Sequence, residues 1–539
     1  MLHTTIQLTL LLAYSLAAAA VEPVVDLGYS RYRGRIVGDG TTQWLGIRYA
    51  APPLGQLRFS APQPPRNTSD IQDASKFGPI CYPGNPDDWT MKPSTRFTVS
   101  EDCLYVNVFA PANATTKSRL PVMFFIQGGG YNSNSNANYN GSDLARVGNM
   151  IVVSMNYRVG AYGFLQSEEV VKDGALNAGL RDQIKALEWT RDNIEKFGGN
   201  SSHIVIDGDS AGAASVLIFL TSPYFLKNPL FVGAISESTY QNLYRTLPEG
   251  QEQYNCLLNA TNCSNSTSTL SCLRSLNVSA LQTPSCAFNP NFDSDLITQT
   301  PFSAFAQGTY LHIPTILGSC ADEGTKNVPQ TTPTLAAAHA FIRSKCPSLT
   351  NSSLPVLDTL YLNVSQPTFP DSGPLWRPLA NALGDIGSHC VDRIYQNTLH
   401  ADGVPSWSYN YAVRDPEQEA KGFGAYHTVE LFAVWGPNNT DGHPPASYNA
   451  SNAGIVPVAQ AYWASFVRYL DPNVGRAGGA PVWEVWGEGR ERLRFATNGT
   501  VVEGMEEAQD RRCGVVDPLV RALERIQPEG TRTELKLEG

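Results

Sequence analysis

Residues His203–Leu220 read HIVIDGDSAGAASVLIFL. An apolar, β-branched run ends at Gly208-Asp209-Ser210-Ala211-Gly212 and passes into a segment of helical composition. Asp-Ser-Ala-Gly by itself is ordinary loop chemistry. A strand that stops at a glycine and turns sharply into a helix means more. It lifts the turn residue to the C-terminal edge of a parallel sheet, where open α/β folds bind ligands. Such a turn is so tight that the residues two before and two after a nucleophile must be small, which accounts for Gly208 and Gly212. Ala211, Ala213 and Ala214 let the helix lie close to the sheet. Its N-terminus aims unpaired N–H groups and a positive partial charge at Ser210.

The flanking sequence has the periodicity of a parallel α/β sheet. Pro121–Gln127, Met150–Arg158, His203–Gly208, Val232–Ser238 and Ile313–Ser319 are short, nearly continuous apolar runs, as expected of strands covered on both faces. Between the second and third lies NAGLRDQIKALEWTRDNIEKFGGN, with Leu180, Ile184, Leu187 and Ile194 on one helical face and Gly198-Gly199 closing it. Strand, helix, strand at this spacing is a right-handed βαβ crossover. Thr239–Thr309, rich in Asn, Ser, Thr and Cys, reads as an excursion from the sheet, and Val328–Asp415 as a helical insertion. AQAYWASFVRYLDPN, near the end, reads as a helix packed by its aromatics and closed by Asp471-Pro472.

A chain of 539 residues, 42% hydrophobic and 10% aromatic, has ample material for a large core. Its net charge of −10 and the lack of any Lys/Arg run exclude nucleic acid as a partner, since a binder needs a basic patch to displace counterions. Residues 1–20 read as a secretory signal, with an apolar core from Ile6 to Leu16 and small residues at Ala17–Ala20, although no Lys or Arg precedes the core. The apolar stretch is shorter than the ~20 residues of a membrane span, and no stable membrane anchor is expected. Ten cysteines, all beyond the signal, suit an oxidising compartment. Asn-x-Ser/Thr sequons stand at Asn67, Asn113, Asn140, Asn259, Asn277, Asn351, Asn363, Asn438, Asn449 and Asn498. The chain ends in TELKLEG, without an ER-retention signal or a lipid-anchor tail. The expectation is a secreted, extracellular protein in which residues 21–539 form a single catalytic domain.

A serine nucleophile needs backbone donors for the developing oxyanion, and each is worth about 3–4 kcal/mol. Gln127-Gly128-Gly129-Gly130-Tyr131 follows the strand PVMFFI and leaves its N–H groups bare; no phosphate-binding G-K-[ST] or G-x-G-x-x-G pattern accompanies it. The base can be sought among eight histidines. His3 leaves with the signal, and His203 lies at the wrong end of the strand that leads to Ser210. His339, His389 and His400 fall in helical segments, and His443 in a Pro/Gly/Asn loop. In GFGAYHTVELFAVWGP, His427 follows a glycine-rich loop and opens an apolar helix, which places it best. The acid belongs just after a strand at the same edge, where IPTILGSCADEGT offers both Asp322 and Glu323. Spacing alone does not choose between them.

With these motifs in order, the chain resembles the type B carboxylesterases of the cholinesterase–lipase family, most of all their secreted fungal members. The resemblance rests on WLGIRYAAPPLGQLRF (Trp44–Phe59), SEDCLYVNVFAP (Ser100–Pro111), QGGGY, NYRVGAYGFL (Asn156–Leu165), GDSAGAAS, DEGT, GAYH and PVWEVW, and covers almost the whole chain after the signal. It implies an α/β-hydrolase fold: a large, mostly parallel central sheet flanked by helices, with helical insertions over the active site. It further implies Ser210 as nucleophile, His427 as base and then acid, and Glu323 as the third member, because the family's acid precedes Gly-Thr. The oxyanion donors would be the N–H groups of Gly129, Gly130 and Ala211. The family disulfides map to Cys81–Cys103 and Cys263–Cys272; for the others Cys256–Cys286 and Cys346–Cys390 are expected. Where many relatives carry Glu before the serine this chain has Asp209, one methylene shorter, beside the triad.

The loop between Cys81 and Cys103 is short and contains no Leu or Ile, unlike the apolar flap of interfacial lipases, and Trp89 does not align with the choline-binding tryptophan of cholinesterases. A small soluble carboxylic ester is therefore favoured over triacylglycerol or a choline ester. No metal or organic cofactor is required for acyl transfer by this machinery. A transacylase or lactone-forming enzyme of a secondary-metabolite pathway would use the same residues, with an alcohol in place of water. A non-catalytic recognition domain is disfavoured, since such relatives lose the serine or histidine. The serine hydrolases named for Gly-Asp-Ser place that serine near the N-terminus, with the acid two residues before the histidine, unlike this chain.

Overall fold

The centre of the molecule is an eleven-stranded sheet. The computed structural model describes residues 22–92, 97–240, 242–440 and 444–523. The expected signal, His443 and the terminal TELKLEG lie outside the described residues. In chain order the sheet strands are β1 (Arg35–Val37), β2 (Thr41–Arg48), β3 (Tyr105–Pro111), β4 (Leu120–Ile126), β5 (Ile151–Met155), β6 (Gly199–Asp209), β7 (Gly233–Glu237), β8 (Thr315–Cys320), β9 (Ser406–Ala412), β10 (Glu491–Ala496) and β11 (Gly499–Gly504). Across the sheet they run β1-β2-β3-β5-β4-β6-β7-β8-β9-β10-β11. From β5 to β10 every neighbour is parallel, whereas β1–β2, β2–β3, β3–β5 and β10–β11 are antiparallel. A separate small sheet joins Val24–Asp26, Arg31–Arg33 and Ile71–Asp73.

The five apolar runs became β4–β8, each covered on both faces, which is why their sequences carry no alternation. The crossover helix α1 (Ala178–Asn193) buries Leu180, Ile184 and Leu187, then tightens through Ile194–Phe197 to Gly198, whose φ of +90° ends it. Helix α2 (Ala211–Thr221) follows Ser210 and is apolar on every side, as befits a helix with no solvent face. The described residues of Thr239–Thr309 contribute no strand to the large sheet, although Arg245 and Asn291 form an isolated bridge.

Two expectations need correction. Val328–Asp415 is not wholly helical. It holds α3 (Leu335–Lys345), α4 (Trp376–Gly384) and α5 (Cys390–Ala401), but then β9, whose SWSYNYA pairs with β8 and β10. Its aromatic side chains suit a strand covered on both faces, while the interleaved Ser and Asn residues obscure that in sequence. Helix α6 (Ile455–Tyr469) begins earlier than AQAYWASF implied and is closed by Leu470 in the left-handed conformation, φ +57°, before Asp471-Pro472 is reached.

The cysteine pairing also differs in part. Cys81–Cys103, Cys263–Cys272 and Cys256–Cys286 are bonded. Cys390, however, pairs with Cys513 and not with Cys346. Cys390 opens α5 and Cys513 lies in α7 (Glu507–Ala522), and these two helices pack against each other. Cys346 caps α3 and is a buried free thiol, as is Cys320 at the end of β8. Of the ten sequon asparagines named above, nine are exposed, whereas Asn140 is half-buried and its side-chain oxygen accepts from Ser142 N–H and Gln43 Nε2.

Candidate active site

The C-terminal ends of β6, β7 and β8, the glycine loop after β4 and the loop carrying His427 meet at one edge of the sheet. Ser210 sits between β6 and α2 with φ +53° and ψ −116°, a conformation that costs on the order of 1–3 kcal/mol and needs surroundings that impose it. Those surroundings are visible. Ser210 N–H donates to Glu237 O at 2.9 Å, tying the turn to the end of β7. A Cβ on Gly212 would lie 1.9 Å from Ile126 O, so α2 starts directly against β4. A Cβ on Gly208 would lie 2.5 Å from the Gly212 carbonyl. Both glycines are steric requirements of the turn.

His427 lies in the loop before a single helical turn, Leu431–Val434, so it does not itself open the apolar helix that its sequence implied. Its Nε2 is 2.8 Å from Ser210 Oγ, and its Nδ1 contacts Glu323 Oε2. Glu323 is 1% exposed, and its other oxygen accepts Cys320 N–H at 2.6 Å. Burial works against the charge of either group. For His427, the charge of Glu323 and the hydrogen bond outweigh burial and raise the imidazole above 6.5. For Glu323, burial is outweighed by His427 and by His389, and the carboxyl falls below its usual range.

Adjacent Asp322 faces elsewhere. Its oxygens pair with Arg377 and Arg414, and it accepts Ala425 N–H at 2.9 Å, while its own N–H donates to Ala425 O. Asp322 thus pins the loop that delivers His427 without touching the imidazole. Spacing left these two carboxylates open and the family resemblance implied Glu323; of the two, only Glu323 contacts the histidine. His203, His339 and His400 lie away from the cluster: His203 bonds Val467 O and His339 bonds Asp358.

The glycine loop stands over Ser210. Gly129 and Gly130 have φ of +113° and +59°. Asp209 is completely buried; its Oδ1 accepts Gly128 N–H at 2.8 Å, and its Oδ2 accepts from Asn136 Nδ2. Burial pushes its carboxyl up to about 8 despite the nearby His427 and the Gly128 N–H. A cavity of about 430 Å³ opens above Ser210 and His427, walled by Gly129, Gly130, Tyr240, Leu243, Leu383 and Ile386. Trp89 is not part of that wall; it is 42% exposed and packs edge-on to Phe97.

Several buried polar groups beneath the site escaped sequence reading. Glu430 accepts from Ser238 Oγ, Tyr409 OH and Cys320 Sγ, and Ser238 Oγ in turn accepts Thr428 N–H. Asp207 on β6 and Glu237 on the neighbouring β7 are both raised by burial, Asp207 to about 7 and Glu237 well above its usual range, the charge of Asp207 adding to the rise of Glu237. The signal was available: single carboxylates inside the apolar runs HIVID, GAISE and TVELFAV have no solvent to face. His389, in the turn between α4 and α5, bonds Asp385 and acts by its charge on Glu323, and neither residue carried such a signal.

The chain matches the Carboxylesterase family over residues 21–513. Secreted lipase 1 of Botryotinia fuckeliana (strain B05.10) is 30% identical over 522 residues, which cover 85% of this chain and 87% of that protein. Liver carboxylesterase 1 of Mus musculus is also 30% identical, over 523 residues, covering 87% of this chain and 88% of that one. Among solved structures, Aspergillus niger EstA superposes with a TM-score of 0.87 at 37% identity, covering 94% of this chain and 99% of the other. With a mostly parallel sheet carrying a serine at a strand–helix turn, and these relatives, the chain belongs to the carboxylesterase family, has the α/β-hydrolase fold, and is a carboxylic ester hydrolase.

Proposed function

We propose that this protein is a secreted serine esterase that cleaves small carboxylic esters through an acyl-enzyme, with Ser210, His427 and Glu323 as its triad. The observation that carries this reading is His427 in contact with Ser210 through one ring nitrogen and with Glu323 through the other, at the floor of the cavity. Ser210 Oγ attacks the ester carbonyl carbon while His427 Nε2 takes its proton. The oxyanion receives the N–H groups of Gly129, Gly130 and Ala211, the last at the N-terminus of α2. The carbon–oxygen bond to the alcohol breaks, and the departing alkoxide takes the proton from Nε2. Water then loses a proton to His427 and attacks the acyl carbon, which releases the acid and restores Ser210. Glu323 holds the imidazole's tautomer and stabilises its cation.

Secretion is supported by the N-terminal signal pattern, four disulfides and exposed sequons, and residues 21–539 are read as one catalytic domain. A fluorophosphonate probe labels Ser210 in the intact protein on this reading, and Ser210→Ala abolishes both label and ester hydrolysis. Labelling elsewhere, or hydrolysis that survives Ser210→Ala, overturns it. A lipase reading is favoured by the name of the Botryotinia fuckeliana relative, and the short loop between Cys81 and Cys103 argues against it. A p-nitrophenyl ester chain-length series with and without emulsified triglyceride separates the two. Long-chain preference with activation at the interface is the lipase outcome.

A further inference from the structure

Behind Glu323, on the side away from Ser210, stands a second histidine. His389 closes the turn Asp385–His389 between α4 and α5. Its Nε2 lies 2.7 Å from Cys320 O, and its Nδ1 lies 3.1 Å from Asp385 Oδ1. A carbonyl oxygen only accepts. Asp385 is held ionised as well. Its oxygens also accept from Gln509 Nε2, Arg512 Nε and Tyr361 OH, and these partners with His389 outweigh burial and hold its carboxyl at about 2. Two acceptors on two ring nitrogens demand two protons, which is the imidazolium form. Burial opposes this charge, yet Asp385, the Cys320 carbonyl and Glu323 together raise the ring above 6.5.

We propose that His389 is a positioning residue for Glu323, a buried imidazolium that fixes and ionises the acid from behind. This rests on the triad reading given above. The connection is short: Cys320 receives His389 on its carbonyl and donates its N–H to Glu323 Oε1. The ring therefore anchors the end of β8 from which the acid hangs, and its charge faces the carboxylate. Because Glu323 is shared between two imidazoles, His427 gains less from it than from a carboxylate held by neutral groups alone. His427 stays deprotonated, and active as a base, to lower pH.

The anions around His389 are Asp385 and Asp392 on its own segment, Glu323 from the loop after β8, and across a cavity Glu506 and Asp322, the latter paired with Arg377 and Arg414. Asp392, pushed up to about 7 by burial, bonds Ser319 and does not replace Asp385 as partner. The cations are Arg512 from α7, which is bound to Asp385, Arg492 of β10 bordering the same space, and Arg393 of α5 at a second, smaller cavity beside His389. The larger cavity, about 290 Å³, touches Glu323, Asp385 and His389 and is separate from the substrate pocket. It gives His389 a route for proton exchange that a bound substrate does not block. The Cys390–Cys513 bond joins the residue after His389 to the helix carrying Gln509 and Arg512, which secures Asp385's partners.

The experiment compares wild type, His389→Gln and Asp385→Asn in the full chain. It uses kcat/KM against pH with a soluble p-nitrophenyl ester, histidine NMR titration, a thermal melt and fluorophosphonate labelling. In wild type the His389 resonance stays charged through pH 6.5, and Asp385→Asn moves its pKa down. Glutamine at 389 keeps a donor for Cys320 O but no charge, so the acid limb of the profile moves up by about half a unit to one unit. Labelling of Ser210 at the alkaline plateau persists in both variants. A neutral His389 at pH 6, or an acid limb that does not move while labelling persists, overturns the inference. A lower melting temperature with an unmoved limb is the purely structural outcome and also overturns it. Failure of wild type to label at Ser210 indicts the triad instead.

Discussion

Asp209 Oδ1 accepts the Gly128 N–H at 2.8 Å, so the residue before Ser210 holds the first glycine of the loop that stands over it. The two segments come from different strand ends, 81 residues apart, and this bond sets their relative position. A Cβ on Gly128 would meet Asp209 Oδ2 at 2.5 Å, which leaves no room for a larger residue.

Asp209→Asn keeps an oxygen for Gly128 and is expected to fold. Because burial raises the wild-type carboxyl to about 8, it carries its charge only at the alkaline end, so the kcat/KM profile of the variant departs from wild type above about pH 8 and not on the acid limb. Asp209→Ala removes the acceptor, and kcat falls by about ten- to a hundredfold as the loop loses its anchor. Stability follows from the carboxyl being raised from 3.8 to about 8. Its contribution is complete below pH 3.8 and is lost as pH rises through about 8, so the Asn variant flattens the melting temperature's pH dependence across that window. Rate profiles and thermal melts from pH 4 to 9 check both points.

Asp322 and Glu323 separate by assay. Glu323→Gln lowers kcat by about 10³–10⁴ with little change in melting temperature. Asp322→Asn leaves kcat within a few-fold but takes the ionic partner from Arg377, which keeps Gly422 O, while Arg414 retains Glu419. Arg414 is 38% exposed, so solvent discounts the loss to about 1–3 kcal/mol of unfolding free energy. Parallel denaturant melts and steady-state rates on the two variants decide the matter; the reverse pattern would assign the acid to Asp322.

Gly212→Ala drives a methyl into Ile126 O, with no flexible side chain to yield, and is expected to prevent accumulation of folded protein. Gly130→Ala meets nothing within 4 Å and carries only the strain of φ +59°, about 1 kcal/mol. Circular dichroism and soluble yield compare the two.

The free thiols give a direct count. Cys320 and Cys346 are buried, so the native protein is expected to be inert to a thiol reagent and to yield two equivalents after unfolding without reductant. Cys513→Ser opens a link spanning 123 residues and is expected to cost about 4 kcal/mol in denaturant unfolding, while Cys346→Ser leaves every disulfide intact. A peptide map joining Cys346 to Cys390 would overturn this pairing.

How much was legible in the sequence varied along the sheet. β4 to β8 were visible because both faces are covered and the code for that is a plain apolar run. β9 was obscured by Ser and Asn between its aromatics, directly after a helical stretch, and its strand character shows only when β8 and β10 flank it. Helix α6 overran its expected start because Ile455-Val456-Pro457-Val458 reads as extended chain, yet proline is at home in a first helical turn.

The amino-acid order by itself determined the turn at Ser210, since which residues must be small there depends on backbone atoms within two positions on either side. It likewise confined the acid to two neighbours and the base to one loop. Spacing did not choose between Asp322 and Glu323, though the family resemblance implied Glu323, and the tertiary structure sets Glu323 against an imidazole 104 residues away; it alone decided that Cys390 finds Cys513 and that the His389 ring bonds the Cys320 carbonyl. Those outcomes depend on the direction in which the chain leaves β8 and on how α5 packs against α7. Both are long-range geometry, set by the burial of whole faces and not by any local spacing.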